Sequence, residues 1–154
     1  MLALRDIDVE LPLVVACDAS HEVLRAARAD AANARLGYAG SLSASQASTL
    51  FKAGVGRLVD VRADIELDLE GFVPGSIHVS WAVAPQFEVN PAFTSELAQK
   101  LTKDEVLLFH CRRGPRSAAA AAAATEAGFR NAFSVDGSID ELLALCVDRS
   151  TTTW

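Results

Sequence analysis

The segment from Val106 to Ser117 constrains the fold of this 154-residue chain more than any other part of it. An apolar run that begins at Val106 ends at Cys111, and a short turn then leads into seven consecutive alanines, Ala118–Ala124. Because alanine is the best helix former, the sequence predicts a buried strand, a tight turn and a helix in succession. Strands that alternate with helices form a mainly parallel sheet that is covered on both faces. The chain is therefore predicted to be an α/β protein.

The predicted turn carries a cysteine and three arginines. Cys111 falls where the strand gives way to a helix N-terminus, at which unpaired N–H groups and the helix dipole favour negative charge. Its thiol is therefore expected to ionise readily, and the thiolate is the nucleophilic form. Arg112, Arg113 and Arg116 form a cationic cluster on a chain of net charge −6, which suits a small anion held beside the sulfur. The alternative is that solvated arginines surround a buried structural cysteine.

The spacing between cysteine and arginine separates two kinds of chemistry. Phosphatases with a cysteine nucleophile place five residues before the arginine, a position that Ser117 occupies here. In this chain Arg116 follows Cys111 after four residues, so the loop is one residue shorter. A histidine directly before the cysteine, here His110, is also typical of cysteine phosphatases. The shorter loop nevertheless suits one extra sulfur atom on the cysteine, a persulfide, better than a tetrahedral phosphoryl group.

Two blocks of sequence resemble the rhodanese homology family of sulfurtransferases. The first runs from Leu58-Val-Asp-Val-Arg62 to Gly71-Phe-Val-Pro-Gly-Ser-Ile-His-Val-Ser-Trp81, and the second is the loop Cys111–Arg116 with Ser117 after it. With the segment 125–133, the likeness extends from about residue 39 to about residue 145. The chain is similar to a single-domain rhodanese.

Three departures from the family pattern affect the site more than the fold. Phe72 stands where the family usually has His, and Arg113 replaces a small polar residue. Pro115 removes one backbone N–H from the loop, although proline is well suited to the first position of a helix. These departures are expected to alter substrate preference.

The resemblance implies a three-layer fold with a mainly parallel sheet of about five strands and helices on both faces. Apolar runs predict strands at 57–61, 76–79, 105–110 and 132–135, with a further candidate at 11–16. Caps and periodicity predict helices at about 18–36, 43–53, 91–101, 115–127 and 139–146. We expect an N-terminal extension at 1–38, with one helix packed on the domain, a rhodanese domain at 39–148 and a polar tail at 149–154.

The resemblance also implies ping-pong transfer of a sulfane sulfur. Cys111 is the expected nucleophile, thiosulfate the expected anionic donor, and cyanide or a thiol, including a protein thiol, the acceptor. Residues of the loop are expected to bind the substrate: Arg112, Arg113, Gly114 and Arg116. Others are expected to support the site: Asp60, Arg62, Trp81 and Ser117, while Glu66 is expected to be a salt-bridge partner. No metal or organic cofactor is required.

Composition excludes several other classes. The chain is acidic, with its arginines concentrated in one loop, so nucleic-acid binding is not expected, and no apolar run is long enough to span a membrane. The chain has an odd number of widely spaced cysteines, Cys17, Cys111 and Cys146. This pattern predicts neither a disulfide framework nor a metal site. The lack of a disulfide framework favours a cytoplasmic location. Two alternatives stay open: a cysteine phosphatase or arsenate reductase, and a non-catalytic module that binds proteins.

Overall fold

A computed structural model describes residues 19–83, 86, 88–113 and 115–147. The first helix, α1, covers residues 19–34. The remaining elements follow in chain order: β1 Gly40–Ser43, α2 Ala44–Lys52, β2 Gly56–Asp60, α3 Asp64–Glu70, β3 Ile77–His78, β4 Ala82–Val83, β5 Glu88–Val89, α4 Phe93–Lys100, β6 Val106–His110, α5 Pro115–Glu126, β7 Ala132–Asp136 and α6 Ile139–Cys146.

Five strands form one parallel sheet in the order β1-β7-β6-β2-β3, and β4 pairs antiparallel with β5 beside it. Because parallel neighbours need a crossover between them, helices cover both faces. Strand β6 lies at the centre, between β7 and β2. The prediction of a mainly parallel sheet of about five strands is confirmed.

The two faces of the sheet bury separate cores. Helices α4 and α5 pack on one face, and α1, α2 and α6 pack on the other. Along β6 the side chains alternate between these cores, as a strand requires, with Leu107 and Phe109 on one side and Leu108 on the other. The buried alanines of α5 have short side chains, so this helix approaches the sheet closely: Ala120, Ala121 and Ala124.

The edge strand is a segment that the sequence did not predict. Strand β1 has a single large apolar side chain, Leu42, and its last residue, Ser43, also caps α2. A four-residue strand with one buried leucine gives almost no periodic signal. The candidate strand at 11–16 lies outside the described residues, as does the tail at 149–154.

Two further elements were missed and the other boundaries differ slightly. Helix α3 was not among the predicted helices, nor was the short β4–β5 pair. The predicted start of α4 at Pro91 is wrong by two residues, because the first turn at 91–92 is not helical. The predicted ends of other elements, such as α5, agree within a residue or two, which is the ordinary uncertainty of helix ends.

Candidate active site

The cysteine loop lies at the carboxyl edge of the sheet. Cys111 directly follows β6, and Pro115 is the first residue of α5, so the helix N-terminus faces back toward the cysteine. The neighbouring strand β2 ends at Asp60, and the Val61 N–H donates to the His110 carbonyl at 3.0 Å across the same edge. In open α/β sheets, sites form at such an edge, where several strands end together.

The cysteine itself is buried. Cys111 is 1% exposed and belongs to the core cluster that also contains Val61, Val79 and Phe109. Apolar surroundings of this kind exclude water from the sulfur.

Two arginines of the loop are held by carboxylates of α3. The Arg116 guanidinium donates two hydrogen bonds to Glu66, at 2.6 and 2.9 Å, and Arg112 pairs with Glu70. The Glu66 carboxylate also accepts a hydrogen bond from the Ala63 N–H at 3.0 Å. Helix α3 thus clamps both ends of the loop, and the positive charge of Arg112 and Arg116 is largely neutralised.

The pKa values of the clamp residues reflect this pairing. The hydrogen bonds from Arg116 lower the pKa of Glu66, and those to Glu66 raise the pKa of Arg116. A smaller contribution to the raised pKa of Arg116 comes from the charge of Cys111. Arg116 therefore lies within electrostatic reach of the sulfur while its guanidinium is bound to α3.

Arg113 differs from its neighbours. It is exposed, and within the described residues it makes no ion pair. Gly114, the remaining loop residue predicted to bind substrate, lies outside the described residues. Of the three loop arginines, Arg113 is therefore the one whose charge is available to an incoming anion.

A buried ion pair between Arg62 and Asp60 is connected to the loop through Glu70. Arg62 is fully buried and donates to both oxygens of Asp60, at 2.7 to 3.2 Å, and to the Gly71 carbonyl at 2.8 Å. Burial alone lowers the pKa of Arg62, but the hydrogen bonds and charge of Asp60 outweigh it and raise the pKa. Arg62 also donates to Glu70 at 3.2 Å, so Glu70 bridges Arg62 and Arg112. The end of β2, α3 and the loop form one network.

His110 lies on the face of the sheet opposite to Cys111. Strand alternation puts Leu107, Phe109 and Cys111 in one core, so His110 points into the other, with Leu108. Neither of its ring nitrogens has a hydrogen-bond partner in the part of the chain that the structure describes. Burial lowers the pKa of His110 to about 4, so the ring is neutral. This position is unsuited to a general base for Cys111.

Trp81 and Ser117, two predicted supporting residues, make packing and anchoring contacts. The Trp81 ring packs edge-on against Phe93, with 5.1 Å between centroids, and Phe93 in turn packs against Phe109 of β6. The hydroxyls of Ser117 and Ser134 are 3.0 Å apart and join α5 to β7. Both contacts hold the elements that carry the loop.

The most consequential residue that sequence reasoning missed is Glu70. It stands eight residues beyond Arg62 in a stretch rich in acidic and apolar residues, Asp64–Glu70. The acidic character of this stretch was the usable signal, because the three arginines of the loop require carboxylate partners. Its pairing with Arg112 joins residues 42 positions apart, which no local pattern reveals.

The described residues contain neither a metal-binding cluster nor a membrane-spanning helix. No group of three or more His, Cys, Asp or Glu side chains there is arranged to hold a metal ion. No helix in the same residues has the length and apolar character needed to cross a membrane.

Comparison with known proteins identifies relatives of this architecture. The model of the rhodanese-like domain matches residues 43–145. The crystal structure of Rv0390 from M. tuberculosis is 34% identical, with a TM-score of 0.56 over 65% of this chain and 80% of that one. The human single-domain sulfurtransferase TSTD1 is 25% identical, with a TM-score of 0.52 over 68% of this chain and 95% of that one.

A curated relative matches a shorter region. Rhodanese-like domain-containing protein 11, chloroplastic, from Arabidopsis thaliana is 37% identical over 60 residues. That match covers 39% of this chain and 20% of the relative. The chain therefore spans about a fifth of the length of this relative.

Proposed function

Since residues 43–145 match its model, the chain belongs to the rhodanese-like domain family, and we propose that it is a sulfurtransferase that carries sulfur on Cys111. One observation carries this proposal. Cys111 directly follows the central strand β6, and α5 begins four residues later at Pro115, so that Arg116 lies in its first turn. The human single-domain sulfurtransferase supports the same activity, since it is similar over nearly its whole length.

The proposed reaction has two half-reactions. In the first, the Cys111 thiolate attacks the outer sulfur of thiosulfate, the S–S bond of the donor breaks, and sulfite leaves with the bonding electrons. In the second, an acceptor nucleophile attacks the outer sulfur of the resulting persulfide, and Cys111 leaves as a thiolate. Cyanide would become thiocyanate, and a thiol would become a persulfide. Neither step requires an external oxidant or reductant.

The loop is proposed to stabilise the negative persulfide through backbone groups. The N–H groups of Arg112, Arg113, Gly114 and Arg116 are candidates, whereas Pro115 has no N–H to donate. The N-terminus of α5 adds a favourable dipole. Because Arg112 and Arg116 are bound to α3, we assign them to fixing the loop and assign donor attraction to Arg113.

An intact-mass measurement tests the proposal. Wild-type protein incubated with thiosulfate should gain one sulfur atom, and cyanide should remove it. The variant Cys111→Ser should gain nothing, while Cys146→Ser should behave like wild type. An unchanged wild-type mass after incubation with both thiosulfate and a small-molecule persulfide would contradict a sulfurtransferase role.

The burial of Cys111 favours one alternative, a non-catalytic domain that binds proteins. A working persulfide site requires a thiolate that small reagents reach. Iodoacetamide should therefore alkylate Cys111 in the native protein, and after pre-loading with thiosulfate it should alkylate the outer sulfur of the persulfide, giving a product heavier by one sulfur atom. A cysteine that reacts only after unfolding would favour the binding module. Hydrolysis of an aryl phosphate would instead favour the phosphatase alternative.

A further inference from the structure

The outer side of α3 exposes large apolar side chains next to the cysteine loop. Ile65, Leu69 and Phe72 are 51%, 78% and 54% exposed. They lie within eight residues of one another, on and just after the short helix whose Glu66 and Glu70 clamp the loop. Isolated exposed leucines are ordinary, but a cluster beside a reactive loop indicates a binding surface.

This apolar surface continues onto the β4–β5 pair. Ile65 and Val83 line a shared depression of about 200 Å³ with Ala63, Asp64 and Ser80. Val83 is exposed, and its strand β4 pairs with β5. We name the set Ile65, Leu69, Phe72 and Val83 the α3 surface. Its depression provides a place where a side chain of a partner can be buried.

The exposed charged side chains of α3 itself are negative. Asp64 and Asp68 are exposed, and within the described residues neither pairs with a lysine or arginine. Asp64 lies 3.4 Å from the half-buried His78 ring, which carries charge only when protonated. A complementary partner therefore presents basic and apolar side chains together.

We propose that the α3 surface docks the sulfur acceptor, and that this acceptor is a protein whose thiol lies in a basic, apolar segment. The inference rests on the proposed sulfurtransferase activity and names its acceptor class. The dianionic donor is repelled by Asp64 and Asp68, so this surface suits the second half-reaction. A second copy of this chain is disfavoured, because it would bring the same carboxylates together on a protein of net charge −6.

Docking places the acceptor thiol next to the persulfide. Glu66 and Glu70 contact Arg116 and Arg112, which follow Cys111 by five residues and one residue, so a segment lying on α3 reaches the loop directly. The acceptor thiolate attacks the outer sulfur, the S–S bond to Cys111 breaks, and the electron pair stays on the Cys111 sulfur. The acceptor then carries the persulfide, and the sulfur count and electron count are conserved.

The test measures discharge of pre-loaded protein by defined thiols. Wild-type protein is loaded with thiosulfate, freed of donor and mixed with three cysteine peptides of equal length. One peptide carries Leu and Lys around the cysteine, one carries Ser and Lys, and one carries Leu and Glu. Dithiothreitol serves as the small-molecule reference. Intact mass gives the second-order rate constant for loss of sulfur from Cys111 with each thiol.

Relative to dithiothreitol, the Leu/Lys peptide should discharge the wild-type protein at least about tenfold faster than the Ser/Lys peptide, since one buried leucine accounts for such a factor. It should also discharge the protein several-fold faster than the Leu/Glu peptide, because lysine is attracted to Asp64 and Asp68 and glutamate is repelled. The preference for leucine should fall several-fold in Leu69→Ser, and the preference for lysine should fall in Asp68→Asn. The matched control is Leu145→Ser, which removes an exposed leucine on α6 and should keep the full preference.

Equal relative rates for the three peptides, or a preference that both variants retain, would overturn the docking proposal. Failure of the wild-type protein to load with sulfur would instead count against the sulfurtransferase proposal, so the two failures are distinguishable. Reversible dimerisation that Leu69→Ser abolishes, measured by sedimentation velocity, would assign the surface to self-association and also overturn the proposal.

Discussion

Individual side chains decide how much positive charge the cysteine loop presents. Three arginines lie within five positions of Cys111, yet Arg112 and Arg116 are each bound by a carboxylate of α3. The loop therefore combines two arginines that are paired with carboxylates and one, Arg113, that makes no ion pair within the described residues. Each of these roles predicts a different consequence of substitution.

Glu66→Gln should destabilise the protein. The substitution weakens two charge-assisted hydrogen bonds to Arg116 that are mostly shielded from water, so we expect a loss of about 1 to 2 kcal/mol in the free energy of unfolding at pH 7. Urea denaturation gives the value. The matched control is Glu22→Gln, which breaks the exposed pair with Arg25 and should change stability by less than about 0.5 kcal/mol. Equal effects of the two substitutions would contradict the clamp.

Arg113→Ala should weaken use of the donor without removing the chemistry. The KM for thiosulfate should rise by about three- to tenfold, with kcat nearly unchanged, because an exposed charge contributes about 1 kcal/mol of attraction. Steady-state kinetics with cyanide as acceptor measure both constants. Arg130→Ala, which removes an arginine paired with Asp104, is the control and should leave KM unchanged. A fall in kcat at constant KM would instead make Arg113 part of the persulfide cradle.

His110 should make the fold sensitive to mild acid. The unfolded chain binds a proton at His110 near the ordinary pKa of 6.5, whereas burial lowers the folded pKa to about 4. The free energy of unfolding therefore keeps the full contribution of the neutral ring above pH 6.5. It falls by roughly 3 kcal/mol in all as the pH decreases from 6.5 toward 4. The pKa of Glu66 is lowered from its ordinary value of 4.5 in the folded protein, so protonation of Glu66 reduces the free energy of unfolding only below about pH 4.5.

Urea denaturation at pH 7, 5.5 and 4.5 tests the His110 contribution. His110→Leu should unfold with nearly the same free energy at all three values, while wild type should weaken steadily. His110→Gln provides a second neutral variant if the leucine does not fit between β2 and β7. Parallel pH profiles for the wild type and a folded variant would show that another group is responsible.

At the scale of helices and strands, close approach between α1 and β1 depends on a single glycine. A Cβ atom on Gly40 would lie 2.7 Å from the Ala27 carbonyl oxygen, a backbone atom that cannot move without shifting α1. Gly40→Ala should therefore cost about 1 to 3 kcal/mol of unfolding free energy. Gly37→Ala is the control, since its nearest neighbour, the Ala122 Cβ, is at an ordinary 3.9 Å. Equal stability of the two variants would contradict this steric account.

The elements that sequence alone predicted are those with strong local signals. The unit of β6, loop and α5 combines an apolar run, a Gly-Pro turn and an alanine run, and the structure reproduces it within a residue. Strand β1 has one large apolar side chain, and its position depends on pairing with β7, more than 90 residues away. Helix α3 is similarly defined by its ion pairs with distant arginines rather than by apolar periodicity.

The same distinction applies to the site. The nucleophile was predictable because Cys111 directly follows a strand and precedes a helix. The neutralisation of Arg112 and Arg116 was not, because it depends on α3 lying beside the loop in the folded chain. The roles in catalysis assigned to the loop residues therefore remain predictions.

For the whole molecule, overall and local charge act in opposite directions on the donor. The chain carries 20 acidic and 14 basic residues, for a net charge of −6, so a dianion is repelled at long range. Near the loop it meets Arg113, whose attraction acts over only a few ångströms. The Debye length falls from about 30 Å at 0.01 M salt to about 8 Å at 0.15 M, so added salt removes the long-range repulsion first.

Loading and discharge should therefore respond oppositely to salt. Between 10 and 150 mM sodium chloride, the second-order rate constant for loading with thiosulfate should rise by about two- to fivefold. Over the same range, discharge by the Leu/Lys cysteine peptide should slow, because screening weakens its attraction to Asp64 and Asp68. Discharge by dithiothreitol, which carries no charge as the thiol, provides the baseline for the salt dependence of the discharge step. If both rates fall with salt, local arginine attraction dominates the donor step and the acidic body of the protein has no part in separating donor from acceptor.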